Sequence, residues 1–384
     1  MKENSNHSVK VLTDDVIDSQ GALEAFCDRA SRASWIAVDT EFERIRTYYP
    51  RLCLVQLSTC EQTVCVDPLV GLDLVPLKSL MLQPNLVKVL HAARQDLEVL
   101  HRALHLLPAP FFDTQIAAQF SGYGEQPGYA DLVRKICEVD LQKRHTRAVW
   151  SRRPLQDDEI RYALDDARYL GPVHLYLKRE LKRNGREDWL SEECEKLKKA
   201  GILDGGMAAA IEKIELGARG LNQVCQSVAS SLAVWREQVA QAQDRPREWI
   251  VSTNALLQIS AALPRTVDEL QGTSGLSQSE FKRWGDAITK VVAAGRNAAV
   301  DYIPLPRLQR PSTAQRESEQ VLWSRLKELC LEAGIPTAAV ARRADIRRLV
   351  SGREDLSLFH GWRAGFVGRE LRELAARESF LSSC

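Results

Sequence analysis

The chain has 384 residues, 45% of them hydrophobic, with 52 basic against 51 acidic side chains and a formal charge of +1. That length exceeds what one hydrophobic core ordinarily supports, so two or three domains are expected. The balanced charge excludes a polyanion-binding surface carried by net charge, leaving only local basic patches for such a role.

From about residue 35 to 182 short strand-like and helix-like pieces alternate. The runs "WIAVDTEF", "RLCLVQLST", "TVCVDPL" and "LVKVLHAA" are rich in Val, Leu and Cys and bounded by turn residues, the pattern of buried strands. Short connections join the first three, which suits a meander. Helical patterns follow in "RQDLEVLHRALHLL", "DTQIAAQF", "ADLVRKICEV" and a longer stretch starting near Asp157. This order predicts a mixed sheet covered by helices, an α/β domain. After about Glu193 strand patterns become rare. The charged "EKLKKAGILDGG" reads as a linker, 211 to 296 as a bundle of short helices, "DYIPLPRLQRPS" with its three prolines as a second linker, and 313 to 380 as helical again. The expected division is 1–195, a linker over 196–212, helices over 213–298, a linker over 299–312, and helices over 313–384.

The nine cysteines are scattered, odd in number and lack close CxxC pairs, so they read as reduced thiols. The opening MKENSNHSVK is polar, and no apolar run approaches the roughly 20 residues that span a bilayer. A cytoplasmic protein without membrane contact is expected.

Chemistry concentrates in the acids. Asp39 and Glu41 follow the apolar run Trp35 to Val38, and a strand's period of two places both on one face, where like charges require a cation between them. Asp96 lies one turn into the helix after "LVKVL". The macrodipole alone favours an acid there, but a helical stripe shared with Val99, Leu100 and Ala103 turns Asp96 inward. Tyr162 and Asp166 are four apart on one helical face, in a stripe that continues through Tyr169 and Val173. Asp165 is rotated by about 100° from Asp166 and should face solvent. Taken singly, a Tyr/Asp pair of this kind is ordinarily a buried phenol bonded to a helix carboxylate. Four inward carboxylates without matching lysines or arginines are different, because buried carboxylates need a partner or a metal. Oxygen donors without His or Cys select hard cations such as Mg²⁺ or Mn²⁺.

"VDTEF", "HAARQDLEVL" and "YALDDARYL" resemble, in order and spacing, the three motifs of the DEDD superfamily of 3′→5′ exonucleases, tyrosine subclass. "VDTEFERIRTYYPRLCLVQLS", "FFDTQIAAQF" and "WSRRPLQDDEIRYALDDARYL" are similar to segments of the ribonuclease D family. The resemblance covers most of residues 20 to 182. It implies a ribonuclease H-like α/β fold and two divalent ions about 4 Å apart, held by Asp39, Glu41, Asp96 and Asp166. By this likeness Asp39 bridges both ions, Glu41 and Asp166 complete the nucleophile-side site, Asp96 acts directly or through water, and Tyr162 orients the attacking water; Asp165 falls outside the motif. The implied activity is exoribonucleolytic release of 5′-mononucleotides, and the tandem modules joined by linkers lead to the expectation of a monomer. The implied substrates are structured RNAs, especially tRNA precursors with 3′ trailers. A non-catalytic RNA-binding protein with the same fold is the competing reading, disfavoured because a binder gains nothing from four carboxylates beside a polyanion.

Within 213–298, "LPRTVDEL" and "GLSQSEFKRWG" resemble the HRDC domain, a small helical nucleic-acid-binding module. Residues 313–384 resemble a diverged second copy. Its arginine-rich "ARRADIRRLVSGRED" with Phe359 and Trp362 interleaved is patterned as a phosphate-tracking surface with stacking groups.

Overall fold

The computed structural model describes residues 13–141, 148–199, 206–272, 275–307 and 310–381. They form two compact units: one holds residues up to Glu43, Leu52–Lys198 and Pro311 onward, the other Arg44–Arg51 and Lys199–Arg310.

The first unit is built on a six-stranded mixed sheet. Its strands are β1 (Thr13–Ile17), β2 (Trp35–Glu43), β3 (Arg51–Ser58), β4 (Gln62–Val66), β5 (Val87–Leu90) and β6 (Phe111–Asp113). Their order is β1-β4-β3-β2-β5-β6, which makes β2, β3 and β4 the expected run of neighbours. β3 and β4 are antiparallel, whereas β2 and β5 run parallel with Trp35 opposite Val87, and β5 and β6 run parallel with Leu90 opposite Asp113. The β3 residues from Leu52 to Ser58 are all buried, as befits a central strand covered on both faces.

Two strands escape the sequence reading. β1 is short and carries two aspartates, and β6 is a three-residue piece whose sequence continues into a helix. Such pieces have too few residues to show a period.

The helices of this unit begin with α1 (Gln20–Ala30), α2 (Val75–Leu82), α3 (Arg94–Leu104), α4 (Thr114–Phe120) and α5 (Tyr129–Cys137). There follow α6 (Asp157–Arg168), α7 (Leu170–Arg183) and α8 (Glu187–Lys199). α7 approaches β2 at Gly171, where an added Cβ would lie 2.0 Å from the Trp35 indole. Only glycine permits this approach, which seats the α6–α7 region on the strand that carries Asp39 and Glu41.

The second unit is helical: α9 (Met207–Ala218), α10 (Gln223–Ala242), α11 (Thr253–Ala262), α12 (Val267–Gln271) and α13 (Gln278–Ala298). Ile214, Val228, Leu232, Leu256, Ile259, Ile288 and Val292 form its core, joined by Tyr48. The Tyr48 hydroxyl donates to Glu237 at 2.8 Å, and the Tyr48 and Tyr49 amides donate to Asp244. Arg44–Arg51 therefore packs with the helical unit, although its sequence lies within 1–195. In the segment expected as a linker over 196–212, α8 runs on to Lys199 and α9 starts at Met207; 200–205 fall outside the described residues. In the proline-rich stretch the Leu305 amide donates to Gln226, whose own amide donates back to the Leu305 carbonyl.

The chain returns to the first unit with α14 (Thr313–Glu332), α15 (Thr337–Val340), α16 (Arg343–Val350), α17 (Gly361–Arg363) and α18 (Arg369–Leu381). Trp362 does not present a free stacking face. It is 8% exposed, stacked on Trp189 at 4.3 Å and set edge-on to Phe120 at 5.1 Å. Its indole N–H donates to Glu193, which also holds Arg363. Burying an aromatic of this size outweighs keeping it in water by about 1.5–3 kcal/mol. Phe359 is covered by the Arg372 guanidinium at 4.1 Å. Arg343 and Arg347 are exposed but paired with the buried Glu319. Among the described residues, no helix is long and apolar enough to cross a membrane.

Candidate active site

Trp35 to Val38 of β2 are buried, and the strand emerges from the core at Asp39. The period of two then puts the half-buried Asp39 and Glu41 on one face. α6 approaches that face from a strongly specified start. Gln156 and Glu159 form a reciprocal capping box, and Asp157, Asp158 and Glu159 place negative charge at the helix's positive end. The preceding loop is fixed by Arg153, which grips Asp67 with two nitrogens and donates to the carbonyls of Cys53 and Trp150.

One turn into α6, the Tyr162 ring stacks on buried Trp150 with centroids 6.2 Å apart, and its hydroxyl is hydrogen-bonded to the Asp166 carboxylate. The stripe expected to run on through Tyr169 and Val173 is interrupted, because the helix breaks at Tyr169 before resuming as α7.

Carboxylate oxygens of Asp39, Glu41 and Asp166 lie within 4.8 Å of one another. Burial, followed by the mutual repulsion of the acids, raises their pKa values. Asp39 is pushed well above the usual carboxylate range by burial and then by Asp96, Asp166 and Glu41. Glu41 rises to about 8 through burial, Asp166 and Asp96. Asp166 rises to about 6 chiefly through burial, an effect that the Tyr162 hydrogen bond opposes.

Asp96 is not among the three within 4.8 Å of one another, but it is the first of the acids that raise the Asp39 pKa. Thr40, pointing to the other side of β2, donates its hydroxyl to Asp96 at 2.6 Å. Asp96 is 8% exposed and raised to about 7, mainly by burial. Asp165 points elsewhere and pairs with Arg168 at 2.8 Å.

Several supporting residues had not been singled out. Asp113 ends β6, caps α4 through the Gln115 and Ile116 amides, and also accepts from the Ala92 and Ala93 amides ahead of α3. It thereby ties the start of the Asp96 helix, including the left-handed Ala92 (φ 52°), to the end of the sheet. The Asp-Thr before an apolar run signalled the cap, but not this second task. Thr40, Trp150 and Tyr129 carry no comparable local signal.

Among the described residues, no lysine or arginine pairs with Asp39, Glu41, Asp96 or Asp166. A tight, half-buried set of carboxylates repelling one another, with oxygen as the only donor, fits a hard divalent cation and little else.

Comparison with known proteins adds an independent line. Residues 15–182 match the model of a 3′-5′ exonuclease family, and 226–292 match the HRDC domain. The chain is 36% identical over 375 residues to ribonuclease D of Jannaschia sp. (strain CCS1), covering 96% of each chain. It is 37% identical to ribonuclease D of Gluconacetobacter diazotrophicus over 91% of this chain and 89% of that one. The crystal structure of Escherichia coli RNase D, described as an exoribonuclease involved in structured RNA processing, superposes with a TM-score of 0.84 at 28% identity, over 95% of this chain and 99% of that one.

Proposed function

The chain belongs to the ribonuclease D family, and from that premise we propose how its acids work and on what. It is a 3′→5′ exoribonuclease, and its exonuclease fold carries dependence on divalent metal. The proposal is that Asp39, Glu41, Asp96 and Asp166 hold two ions, Mg²⁺ or Mn²⁺, with Asp39 shared between them. The observation that carries it is the meeting of Asp39, Glu41 and Asp166 within 4.8 Å. Bound there, such ions would lower the pKa of a water and offset charge on the departing 3′ oxygen.

This chain's own residues do the rest. Glu41 and Asp166 lie against Asp39. Asp96, restrained by Thr40, also acts on Asp39 and serves directly or through water. Tyr162, held against Trp150 and bonded to Asp166, offers its hydroxyl to orient the attacking water. Substrates are read as structured RNAs, foremost tRNA precursors with 3′ trailers, processed by a monomer to 5′-mononucleotides; the processing role of the Escherichia coli relative supports this. The HRDC match over 226–292 supports an HRDC-type domain across 213–298. The deciding assay offers the full chain a 3′-tailed tRNA and the equivalent DNA with Mg²⁺, Mn²⁺ or EDTA. RNA trimming with either ion and none with EDTA is expected, and metal-independent trimming would overturn the proposal.

Tyr162→Phe is expected to lower kcat about 10- to 1,000-fold with RNA affinity nearly unchanged, because orienting a nucleophile is worth less than generating it. The ring retains its Trp150 packing, so little stability should be lost. Wild-type turnover by a less stable protein would instead mark the hydroxyl as purely structural.

The raised acids also set a pH dependence. Between their ordinary values and about 6, 7 and 8 for Asp166, Asp96 and Glu41, the metal-free folded chain binds protons that the unfolded chain has released. Their contribution to stability is therefore complete below about pH 4 and is lost as pH rises toward about 8. Divalent ions relieve the repulsion that remains at high pH. The rise in Tm on replacing EDTA with Mg²⁺ should accordingly be larger at pH 8 than at pH 5. A thermal-shift series showing equal rises at both would remove these carboxylates as the metal site.

A further inference from the structure

α6 and α7 are consecutive, and the break between them falls three residues after Asp166. In an uninterrupted helix the Tyr169 amide would donate to the Asp165 carbonyl, four residues back. Here the hydroxyl of Tyr129, from the first turn of α5, stands in that ladder. It donates to the Asp165 carbonyl at 2.9 Å, and its oxygen accepts from the Tyr169 amide at 3.3 Å. Pro172, without an amide hydrogen and with a ring that excludes the Arg168 carbonyl, breaks the helix here, and the Tyr129 hydroxyl bridges the two backbone groups left open beside the peptide that leads into Asp166.

The other side of the Tyr129 ring meets His91, with centroids 5.7 Å apart. His91 lies in the turn ahead of α3, and its ring is bonded to Thr114 at the start of α4. The phenol is thus braced from the segment that leads to Asp96 while it bridges the end of the helix that carries Asp166.

We infer that Tyr129 is a positioning residue for the hydrolysis, whose hydroxyl, by bridging the Asp165 carbonyl and the Tyr169 amide at the Pro172 break, fixes the last turn of α6 and so holds Asp166 toward Asp39 and Glu41. Without it the Asp165 carbonyl and the Tyr169 amide lose their shared partner, the last turn of α6 loosens, and the Asp166 carboxylate is held less firmly in the trio. The inference rests on Asp166 serving as a metal ligand.

Tyr129→Phe in the full chain keeps the ring and its His91 contact and removes only the inserted oxygen. Four quantities test it: the Mn²⁺ concentration giving half of the maximal Tm rise without RNA, kcat and KM on a 3′-tailed RNA at saturating Mn²⁺, and the metal-free Tm. The expected result is a 3- to 10-fold higher half-saturating Mn²⁺ concentration, a kcat lowered about 10-fold, an unchanged KM and a metal-free Tm within a few degrees of wild type. Unchanged Mn²⁺ half-saturation and kcat, or loss of cooperative unfolding, would show the hydroxyl to be a fold element and overturn the inference. The wild-type protein separates the two levels. If Mn²⁺ does not raise its Tm, the metal reading itself falls, and this inference with it. A normal wild-type response combined with a wild-type-like Tyr129→Phe removes this inference alone.

Discussion

Asp39→Asn is expected to abolish exonuclease activity, with a loss of at least about 10³-fold in kcat/KM, equivalent to about 4 kcal/mol of transition-state stabilisation. Asp39 is the acid on which the site converges: Asp96, Asp166 and Glu41 all raise its pKa, in addition to its own burial. An amide there keeps the shape of the side chain but offers one neutral oxygen where both proposed ions need a shared anion. The fold should not suffer. Removing one charge from a mutually repelling group relieves strain in the metal-free protein, so its Tm in EDTA should equal or exceed that of wild type. The Mn²⁺-induced rise in Tm should largely disappear. Retention of more than a few per cent of wild-type turnover would sink the assignment of Asp39 as the shared ligand.

Nearly as large is the expected contrast between the adjacent acids of α6. Asp166→Asn should be inactive to within about a factor of ten of Asp39→Asn, because Asp166 belongs to the trio and anchors the Tyr162 hydroxyl. Asp165→Asn should stay within about threefold of wild type. Its carboxylate faces away from the trio and bonds to Arg168 at 2.8 Å, a partly exposed pairing worth under about 1 kcal/mol. Its contribution to the site is its main-chain carbonyl, which the substitution preserves. Steady-state kinetics on one 3′-tailed RNA suffices to compare them. An inactive Asp165→Asn beside an active Asp166→Asn would show that the helical register assigned to this face is wrong.

The local pairings among the acids were legible in the sequence, for a reason that individual residues make plain. Asp39 and Glu41 share a face because a strand alternates, and Tyr162 meets Asp166 because a helix returns after four residues. Both relations are local. Asp96 was read as inward from its stripe with Val99 and Leu100, and it is buried, but its placement beside Asp39 involves Thr40, which belongs to another element. Trp362 shows the converse. An aromatic among arginines reads as a stacking group in solvent, whereas Trp189, 173 positions earlier, covers it.

By itself the sequence determined the α/β class of the first domain, the adjacency of its first three predicted strands, and the local pairings of Asp39 with Glu41 and of Tyr162 with Asp166, the last two because they follow from backbone periods of 2 and 3.6 residues. Only the tertiary structure decided that Tyr48 packs into the helical unit, that the helices after Ser312 rejoin the first unit, that Asp113 ties two helices to one strand end, and that the Tyr129 hydroxyl bridges the end of α6 behind Asp166. Each of these depends on side chains brought together from distant positions by burial and packing, and no period along the chain records where such partners will meet.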